Sequence, residues 1–249
     1  MTMDNKGMLD ITHISEVGPV DGLIGWWKLN GDIRDYSGFS NHGVNKGANL
    51  SSGVNNLSYE FSRVNGDYID LQSKYIAGPT EGAVSAWINL YSTHTTYQSI
   101  YACQTGAAWA HIRLWLAVDS SNNVFLNIAD GINYLTNSQL YYPLNFNQWY
   151  HVVGTYGGGT AHIYVNGIKI RSTNTTIEPG IFTPTTTMIG WHEYSDRYFD
   201  GKIEDLRVYN REILEEEVRL LYKLKTGQTK LSKDSSGTLH VQGHIKEGY

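Results

Sequence analysis

Cysteine, proline and charged residues are all scarce in this sequence, and each shortage limits the structures or partners that the protein can have. A single cysteine, Cys103, cannot form an intrachain disulfide. Five prolines against 26 glycines indicate that the turns are built mainly on glycine, as in sheets with tight hairpins. Charged residues make up only 17%, the net charge is −5, and no run of Lys or Arg occurs. A nucleic-acid partner is therefore excluded, because phosphate binding needs a concentrated basic face.

Long apolar runs are also missing. No stretch approaches the roughly 20 residues that a membrane-spanning helix needs. The opening segment, "MTMDNKGMLDITHIS", has no apolar core behind a basic head, so no secretory signal is predicted. We therefore expect a soluble protein without membrane insertion. A place in a virion or outside the cell would follow from assembly, from lysis, from a dedicated export apparatus, or from removal of a leader that is not part of this sequence.

Aromatic residues and short apolar runs are what the sequence does have. It contains 18 Tyr and 7 Trp, and runs such as "GAVSAWINLY", "HIRLWLAV" and "QWYHVVGTY" are each bordered by Gly, Asn, Ser or Pro. This pattern predicts antiparallel β-strands. In "AHIYVNGIKI", Ala161, Ile163 and Val165 alternate with polar or aromatic residues. The Asn166-Gly167 pair that follows predicts a type I′ hairpin turn.

One segment near the end predicts a helix. Three consecutive acids, Glu215, Glu216 and Glu217, would stand in its first turn, where negative charge suits the helix dipole. Val218, Leu221 and Tyr222 recur at helical spacing and are expected to face the core.

Four segments carry a family resemblance. They are "GLIGWWKLNGDIRDYSGFSNHG" (22–43), "GAVSAWINL" (82–90), "NQWYHVVGTYGGGTAHIYVNGIKI" (147–170) and "IGWHEYSDRYFDGKIEDLRVYNREILEEEV" (189–218). In this order they resemble the laminin G-like, concanavalin A-like jelly-roll domains. The resemblance implies an all-β, two-sheet antiparallel jelly-roll sandwich over residues 22–224, with one short C-terminal helix. An N-terminal arm (1–21) and a C-terminal tail (225–249) would flank the sandwich.

The resemblance also implies how the sandwich closes. The first and last strands of the domain would pair, so that Trp26 or Trp27 packs with Leu206 and Val208 between two layers about 10 Å apart. We expect Trp87 and Trp149 to fill the same core.

Calcium is a further implication, because many relatives of this fold hold one. Asp35, Asn41 and Asp205 would supply oxygen ligands at the rim, and Ca²⁺ accepts the irregular geometry of loops. Hydrogen bonding is the alternative for the same side chains. Asp35 would then cap its own turn through the Ser37 or Gly38 amide, and Asp205 would pair with Arg207 or Arg34.

Catalysis finds little support in the sequence. Glycosidases need two carboxyl groups about 5–9.5 Å apart, whereas the adjacent Glu204 and Asp205 should point to opposite faces of a regular strand. Nucleophile-elbow, zinc-protease and phosphate-loop motifs are absent. We therefore predict a non-enzymatic protein and keep a polysaccharide-degrading enzyme as an alternative.

Binding through aromatic rings is the leading prediction. Rings near Asn, Asp and Arg form platforms for sugars, because a ring stacks on C–H faces while polar groups take hydroxyls. Arg113, on the same strand face as Trp115, suggests that this face is wet. The predicted function is a carbohydrate-recognition module, and its candidate ligand-binding residues are Trp109, Trp115, Tyr134, Trp191, His192 and Tyr194.

The tail supports a second function from a different class. Residues 229–245, "TKLSKDSSGTLHVQGHI", predict a hairpin that turns at Asp234–Gly237 and needs a surface to lie on. This segment is similar to the ends of some phage tail and virion proteins. The alternative prediction is a structural or decoration subunit whose terminal arms contact a second copy or virion proteins.

Overall fold

The structure is a computed structural model that describes residues 18–226 except 55, 73, 75, 107, 136–139, 194 and 195, together with the backbone of 229–233 and 239–243. Within these residues the elements follow in this order: β1 (Leu23–Trp27), β2 (Val44–Lys46), β3 (Asn49–Ser52), β4 (Leu57–Phe61), β5 (Tyr68–Asp70), β6 (Gly82–Leu90), β7 (Gln98–Gln104), a 3₁₀ helix (Trp109–His111), β8 (Leu114–Val118), β9 (Asn123–Ile128), β10 (Tyr141–Pro143), β11 (Trp149–Gly157), β12 (Thr160–Val165), β13 (Ile168–Asn174), β14 (Thr186–Ile189), β15 (Gly201–Tyr209), α1 (Glu215–Thr226), β16 (Thr229–Lys233) and β17 (Leu239–Gly243).

Two antiparallel sheets form the predicted jelly-roll sandwich. In the described part of the chain, one sheet has eight strands in the order β13-β12-β11-β6-β15-β4-β3, with β1 also paired to β15. The other has seven, in the order β10-β9-β8-β7-β14-β5-β2. Asn166 and Gly167 both have positive φ, at 52° and 80°, and join β12 to β13 as the predicted type I′ turn.

The first and last strands of the domain pair as predicted. β1 runs antiparallel to β15, with Gly25 opposite Val208 and Trp27 opposite Leu206. The fully buried Trp27 ring covers Gly25, and a Cβ added there would lie 2.5 Å from a Trp27 ring carbon. Glycine is therefore required beside this tryptophan.

Alternation along the strands separates the inter-sheet core from the two outer faces. Ala161, Ile163 and Val165 lie in the core between the sheets. Tyr164 faces outward and packs with Val218 and other residues beneath α1. One helix thus buries the outer face of the eight-stranded sheet, as the apolar spacing of its sequence predicted.

The side chain of a glutamate, and not a hydroxyl residue, caps the start of α1. The Leu214 N–H donates to Glu217 Oε2 at 2.8 Å, which is the glutamate half of a capping box. Arg211 holds the same carboxylate at 2.6 Å. Further along the helix, Tyr222 stacks on Trp87 with the ring centroids 5.6 Å apart.

Two tryptophans do not lie where the sequence predicted. Trp87 is buried, but it faces α1 and not the space between the sheets, because its strand presents Ala86 and Ile88 to the core. Trp149 is only half-buried at the start of β11. The prediction that these two rings fill the inter-sheet core is wrong.

The acidic pair Glu204-Asp205 occupies a bulge where β15 changes partners. Residues 201–203 pair with β4, whereas 206–209 pair with β1. At the bulge Asp205 has a φ of 49°, and the register with β6 shifts between Glu204 and Arg207. The bulge turns both carboxylates towards α1, so the prediction of opposite faces is wrong.

Buried ion pairs hold these two carboxylates. Glu204 is fully buried; its Oε1 lies 2.5 Å from Lys225 Nζ, and its Oε2 accepts the Val54 N–H at 2.7 Å. Asp205 accepts from Arg207 Nε at 3.0 Å and from the Trp26 indole at 2.6 Å. Burial alone would raise the pKa of Asp205, but the Arg207 and Lys225 charges outweigh it and lower that pKa.

The predicted terminal arms are described only in part. β16 and β17 pair antiparallel, while the turn predicted at 234–237, the strand side chains and the N-terminal arm before residue 18 lie outside the described residues. Their role in docking or assembly stays a prediction. Among the helices of the described part, none has the length and apolar character to cross a membrane.

We expect Lys225→Met to lower the free energy of unfolding by about 3 kcal/mol, because Glu204 would stay buried without its cation. Lys223→Met is the matched control: it removes the same charge two residues away, from a lysine that has no ion pair among the described residues. Urea unfolding of both variants measures the difference. Equal midpoints would show that the pair contributes nothing.

Candidate functional site

An open groove lies at one end of the sandwich. It has a volume of about 490 Å³, within the range of roughly 300–1,000 Å³ common for ligand sites. The end of β13 with the segment that follows it and the turn between β11 and β12 form one side, and the loop after β9 forms the other. Its lining residues are Tyr134, Leu135, Gly159, Asn174, Thr175, Thr176 and Ile177.

A short turn fixes the Tyr134 ring beside the groove. The Asp130 carboxylate accepts the backbone N–H groups of Ile132 and Asn133 at 2.8 and 2.7 Å, and these bonds lower its pKa. Gly131 has a φ of 103°, which suits the tight turn. Tyr134 then bridges back to Ala129, so its backbone is held although 41% of the residue is exposed.

Trp109 supports Tyr134 from behind. The two rings stack with their centroids 5.6 Å apart and an interplanar angle of 26°. Trp109 lies in the 3₁₀ helix and packs edge-on against Trp115 and Tyr97, at 5.3 and 5.0 Å. The predicted residues Trp109, Trp115 and Tyr134 therefore do meet, in a ring cluster on the outer face of the seven-stranded sheet.

Trp115 and His192 are the buried base of this cluster. Both are fully buried, and their rings meet edge-on at 4.7 Å. The prediction that the Trp115 face is wet is wrong, because the segment carrying Trp109 and Ile112 folds over it. Arg113 turns aside and donates to the Pro179 carbonyl at 3.1 Å.

Arg197 joins the base of the cluster to its half-exposed rings. Its guanidinium lies over Tyr97, Trp115 and Trp109 at 5.1, 5.4 and 5.9 Å from the ring centroids. It donates from Nη1 to His192 Nε2 at 2.6 Å. Burial and the Arg197 charge lower the pKa of His192 to about 3, so the imidazole stays neutral and accepts this bond.

Trp191 belongs to a separate trio of rings. It stacks on Tyr198 at 5.2 Å and 8°, and Tyr68 lies 5.0 Å from it. All three residues are half-buried. The described ring contacts do not connect this trio to the cluster around Trp109. Tyr194, also predicted to bind ligand, lies outside the described residues.

A second depression, of about 410 Å³, is a weaker candidate. Arg63, Val64, Ser92, Asp196 and Asp200 line it, so it offers no aromatic face. Its charged groups also bind one another, with Arg63 Nη2 3.0 Å from Asp196 Oδ1. The groove beside Tyr134 therefore combines the features that a ligand site needs.

Sequence reasoning missed the polar wall of this groove and Arg197. The wall is the segment Asn174–Ile177, whose chain is anchored by the Thr175 N–H donating to the Gly159 carbonyl at 2.9 Å. The run "TNTT" (173–176) was a visible signal, since a dense set of amide and hydroxyl groups is what a sugar-facing wall requires. Its position opposite Tyr134 could come only from the fold.

The residues predicted to hold calcium do not fit that ion. The Asp35 carboxylate accepts four hydrogen bonds of 2.8–2.9 Å, from the backbone N–H groups of Trp26, Ser37 and Asn41 and from the Ser37 hydroxyl. Asp205 is engaged by Arg207 and the Trp26 indole, and the Asn41 amide donates to the Ile24 carbonyl. In the described residues, no group of three or more His, Cys, Asp or Glu could hold a metal. Hydrogen bonding, the alternative for these side chains, is what the structure shows.

These features define the class of the protein, an antiparallel jelly-roll sandwich with an aromatic-edged groove at one end. The chain belongs to the concanavalin A-like lectin/glucanases superfamily, whose laminin G-like family model matches residues 63–219, more than half of the sequence. No curated protein matches the chain in sequence.

Several solved structures share the fold. Domain 4 of AbnA, a GH43 extracellular arabinanase from Geobacillus stearothermophilus solved with arabinotriose, has a TM-score of 0.64 and 16% identity, covering 80% of this chain and 98% of that one. The binding domain of Paraclostridial Mosquitocidal Protein 1 has a TM-score of 0.66 and 15% identity, covering 89% and 63%. The receptor binding domain of botulinum neurotoxin D has 0.63 and 19%, covering 86% and 55%. At these identities the likeness establishes the fold alone.

We expect the histidine beneath the rings to make the protein acid-sensitive. Between about pH 6.5 and about 3 the unfolded chain protonates His192 and the folded chain does not, so stability falls as the pH drops, by about 1.4 kcal/mol per pH unit for one proton. His192→Gln should remove the contribution of one proton from this slope in urea unfolding, while the contribution of His151, whose pKa burial also lowers to about 3, remains. His111→Gln, at an exposed position, is the control and should leave the slope unchanged. An unaltered slope in His192→Gln would contradict the assignment.

We also expect calcium to leave the melting temperature unchanged, because donors already occupy the rim carboxylates. Asp35→Ala should lower the free energy of unfolding by about 2 kcal/mol, since it removes the acceptor for three backbone N–H groups, among them that of the buried Trp26. Calorimetry with added Ca²⁺ and with chelator measures both effects. A calcium-dependent rise in melting temperature that Asp35→Ala abolishes would restore the metal site.

Proposed function

We propose that the protein is a non-catalytic recognition module that binds carbohydrate in the groove beside Tyr134. The Tyr134 ring would stack on the C–H face of a sugar. Asn174, Thr175 and Thr176 on the opposite wall would bind the hydroxyl groups.

One observation carries this proposal. Tyr134 is exposed, yet its backbone is held by a hydrogen-bonded turn and its ring is supported by the Trp109 ring, with the centroids 5.6 Å apart. An aromatic surface that is fixed before the ligand arrives loses little conformational entropy on binding. Flexible surface rings do not offer this advantage.

Polar groups facing the ring are the second requirement of a sugar site. Asn174, Thr175 and Thr176, which line the groove, carry one amide and two hydroxyl side chains, and the Thr175 hydroxyl also accepts the Ile177 N–H at 3.1 Å. Such groups can both donate and accept hydrogen bonds, as sugar hydroxyls do. An apolar floor with a few convergent polar groups is the usual composition of a small-molecule site.

The structural relatives support a binding role. The arabinanase domain was solved with arabinotriose, and the two toxin domains are named as binding or receptor-binding domains. Their sequence identity is too low to assign their ligands to this chain, so the relatives do not identify the sugar.

The groove lining supports a non-enzymatic role. Among the residues that line the groove and the smaller cavity beside it, one carries a carboxyl group, Glu178, whereas glycosidases need a pair of carboxyl groups. The alternative of a structural or decoration subunit depends on terminal segments whose side chains lie outside the described residues, and it stays a prediction.

A glycan array followed by calorimetry tests the proposal. Tyr134→Ala should weaken binding of the array hit by about tenfold, since an aromatic contact contributes about 0.5–1.5 kcal/mol beyond area burial. Phe146→Ala removes a ring of similar exposure, 40%, that does not line the groove, and should leave binding intact. Binding to no glycan, or equal affinity in Tyr134→Ala and wild type, would reject the proposal.

A further inference from the structure

We propose that the groove continues into a narrower acidic arm, and that this arm gives the site a preference for oligosaccharides that carry protonated amino groups. This inference rests on the proposed carbohydrate function and adds the chemical class of the ligand.

The groove extends beyond the sugar-sized space at Tyr134. Another, smaller cavity, of about 210 Å³, lies next to the groove and shares Gly159, Thr175, Thr176 and Ile177 with it. Its other lining residues are Thr80, Tyr156, Gly157, Thr160 and Glu178. The two spaces are therefore adjacent, and in the proposed binding mode a chain of sugars runs from the Tyr134 ring into the arm, which a single sugar would not reach.

Glycine keeps the arm open. Gly157 lies at its base, and a Cβ added there would approach the Cβ atoms of Glu81 and Glu212 at 2.9 and 3.2 Å. Gly159 has a φ of 82°, and no atom lies closer than 4.0 Å to the position its Cβ would take. The first glycine therefore brings two carboxylate side chains close to the arm, and the second leaves its mouth wide.

Three acids lie in the arm or beside its Gly157, and they come from three parts of the chain. Glu178 lines it directly. Glu81 precedes β6, and Glu212 lies between β15 and α1, with its N–H donating to Glu81 Oε2 at 3.3 Å. Neither Glu81 nor Glu178 belongs to an ion pair within the part of the chain that the structure describes.

The neighbouring basic groups do not cancel this charge. Lys169 is directed to Glu215, with Nζ 3.5 Å from Oε2. His162 Nε2 lies 3.3 Å from Glu212 Oε1, but burial and the Lys169 charge lower the pKa of this histidine, which favours its neutral form. Glu81 and Glu178 therefore keep their negative charge without an ion-pair partner among the described residues, although the Lys169 charge acts on Glu212.

This distribution discriminates between classes of sugar. A protonated amine in the arm gains attraction from Glu178 and Glu81, whereas an uronate there is repelled. Neutral sugars keep the stacking on Tyr134 and gain nothing from the arm. Since Glu81 and Glu178 are exposed, the preference should be modest and should weaken with salt.

Calorimetry with two probes of equal length tests this. The probes are the tetrasaccharide of β-1,4-linked glucosamine and its fully N-acetylated counterpart, in low-salt buffer at mildly acidic pH. We expect the amino form to bind about fivefold more tightly, as two exposed charge pairs would give. Glu178→Gln and Glu81→Gln together should remove most of that ratio, and Tyr134→Ala should weaken both probes.

The control for net charge is Glu216→Gln, an exposed glutamate on α1, which should keep the full ratio. Equal affinity for the two probes, or a ratio that Glu216→Gln reduces as much as the arm variants do, would overturn the inference. Binding of neither tetrasaccharide would overturn it as well. The array experiment decides the proposed function separately, because a neutral glycan bound through Tyr134 would sustain that function without the acidic arm.

Discussion

The pairing of β1 with β15 is the constraint on which the rest of the structure depends. β15 lies inside the eight-stranded sheet and changes partner from β4 to β1 at Glu204-Asp205. The bulge there turns two carboxylates under α1, where Lys225 and Arg207 neutralise them. The same register places Trp27 and Leu206 between the sheets. One irregularity therefore closes the sandwich and binds the helix to it, and the acids at that point are structural.

The two outer faces of the sandwich are buried in different ways, and this difference locates the site. On the eight-stranded sheet a helix covers the face with apolar and paired charged groups. On the seven-stranded sheet the chain's own loops cover Trp115 with rings and with the Arg197 guanidinium. A series of ring contacts leads from the buried Trp115 through Trp109 to Tyr134 at the surface. The exposed ring thus stands on a rigid foundation, which a preorganised binding surface requires.

The groove lies where loops from both sheets meet, at an end of the sandwich. The ends of strands are suitable places for a ligand-binding groove, because the sheets fix the positions of the loops while the loops themselves are free to vary in sequence. The groove beside Tyr134 and the smaller cavity next to it share Gly159 and residues 175–177 as lining. A change in that shared segment would therefore alter both spaces, whereas a change at Tyr134 would alter the groove alone.

The sequence by itself determined the sandwich, because alternating apolar residues, the Asn166-Gly167 turn and the four family segments all depend on local chemistry. It also placed Trp109 and Tyr134 among the candidate residues. Only the tertiary structure decided that Trp115 is buried, that Trp191 belongs to another group of rings, and that 174–177 faces Tyr134. Burial and proximity between residues dozens of positions apart depend on how loops fold over a sheet, and strand periodicity carries no information about that.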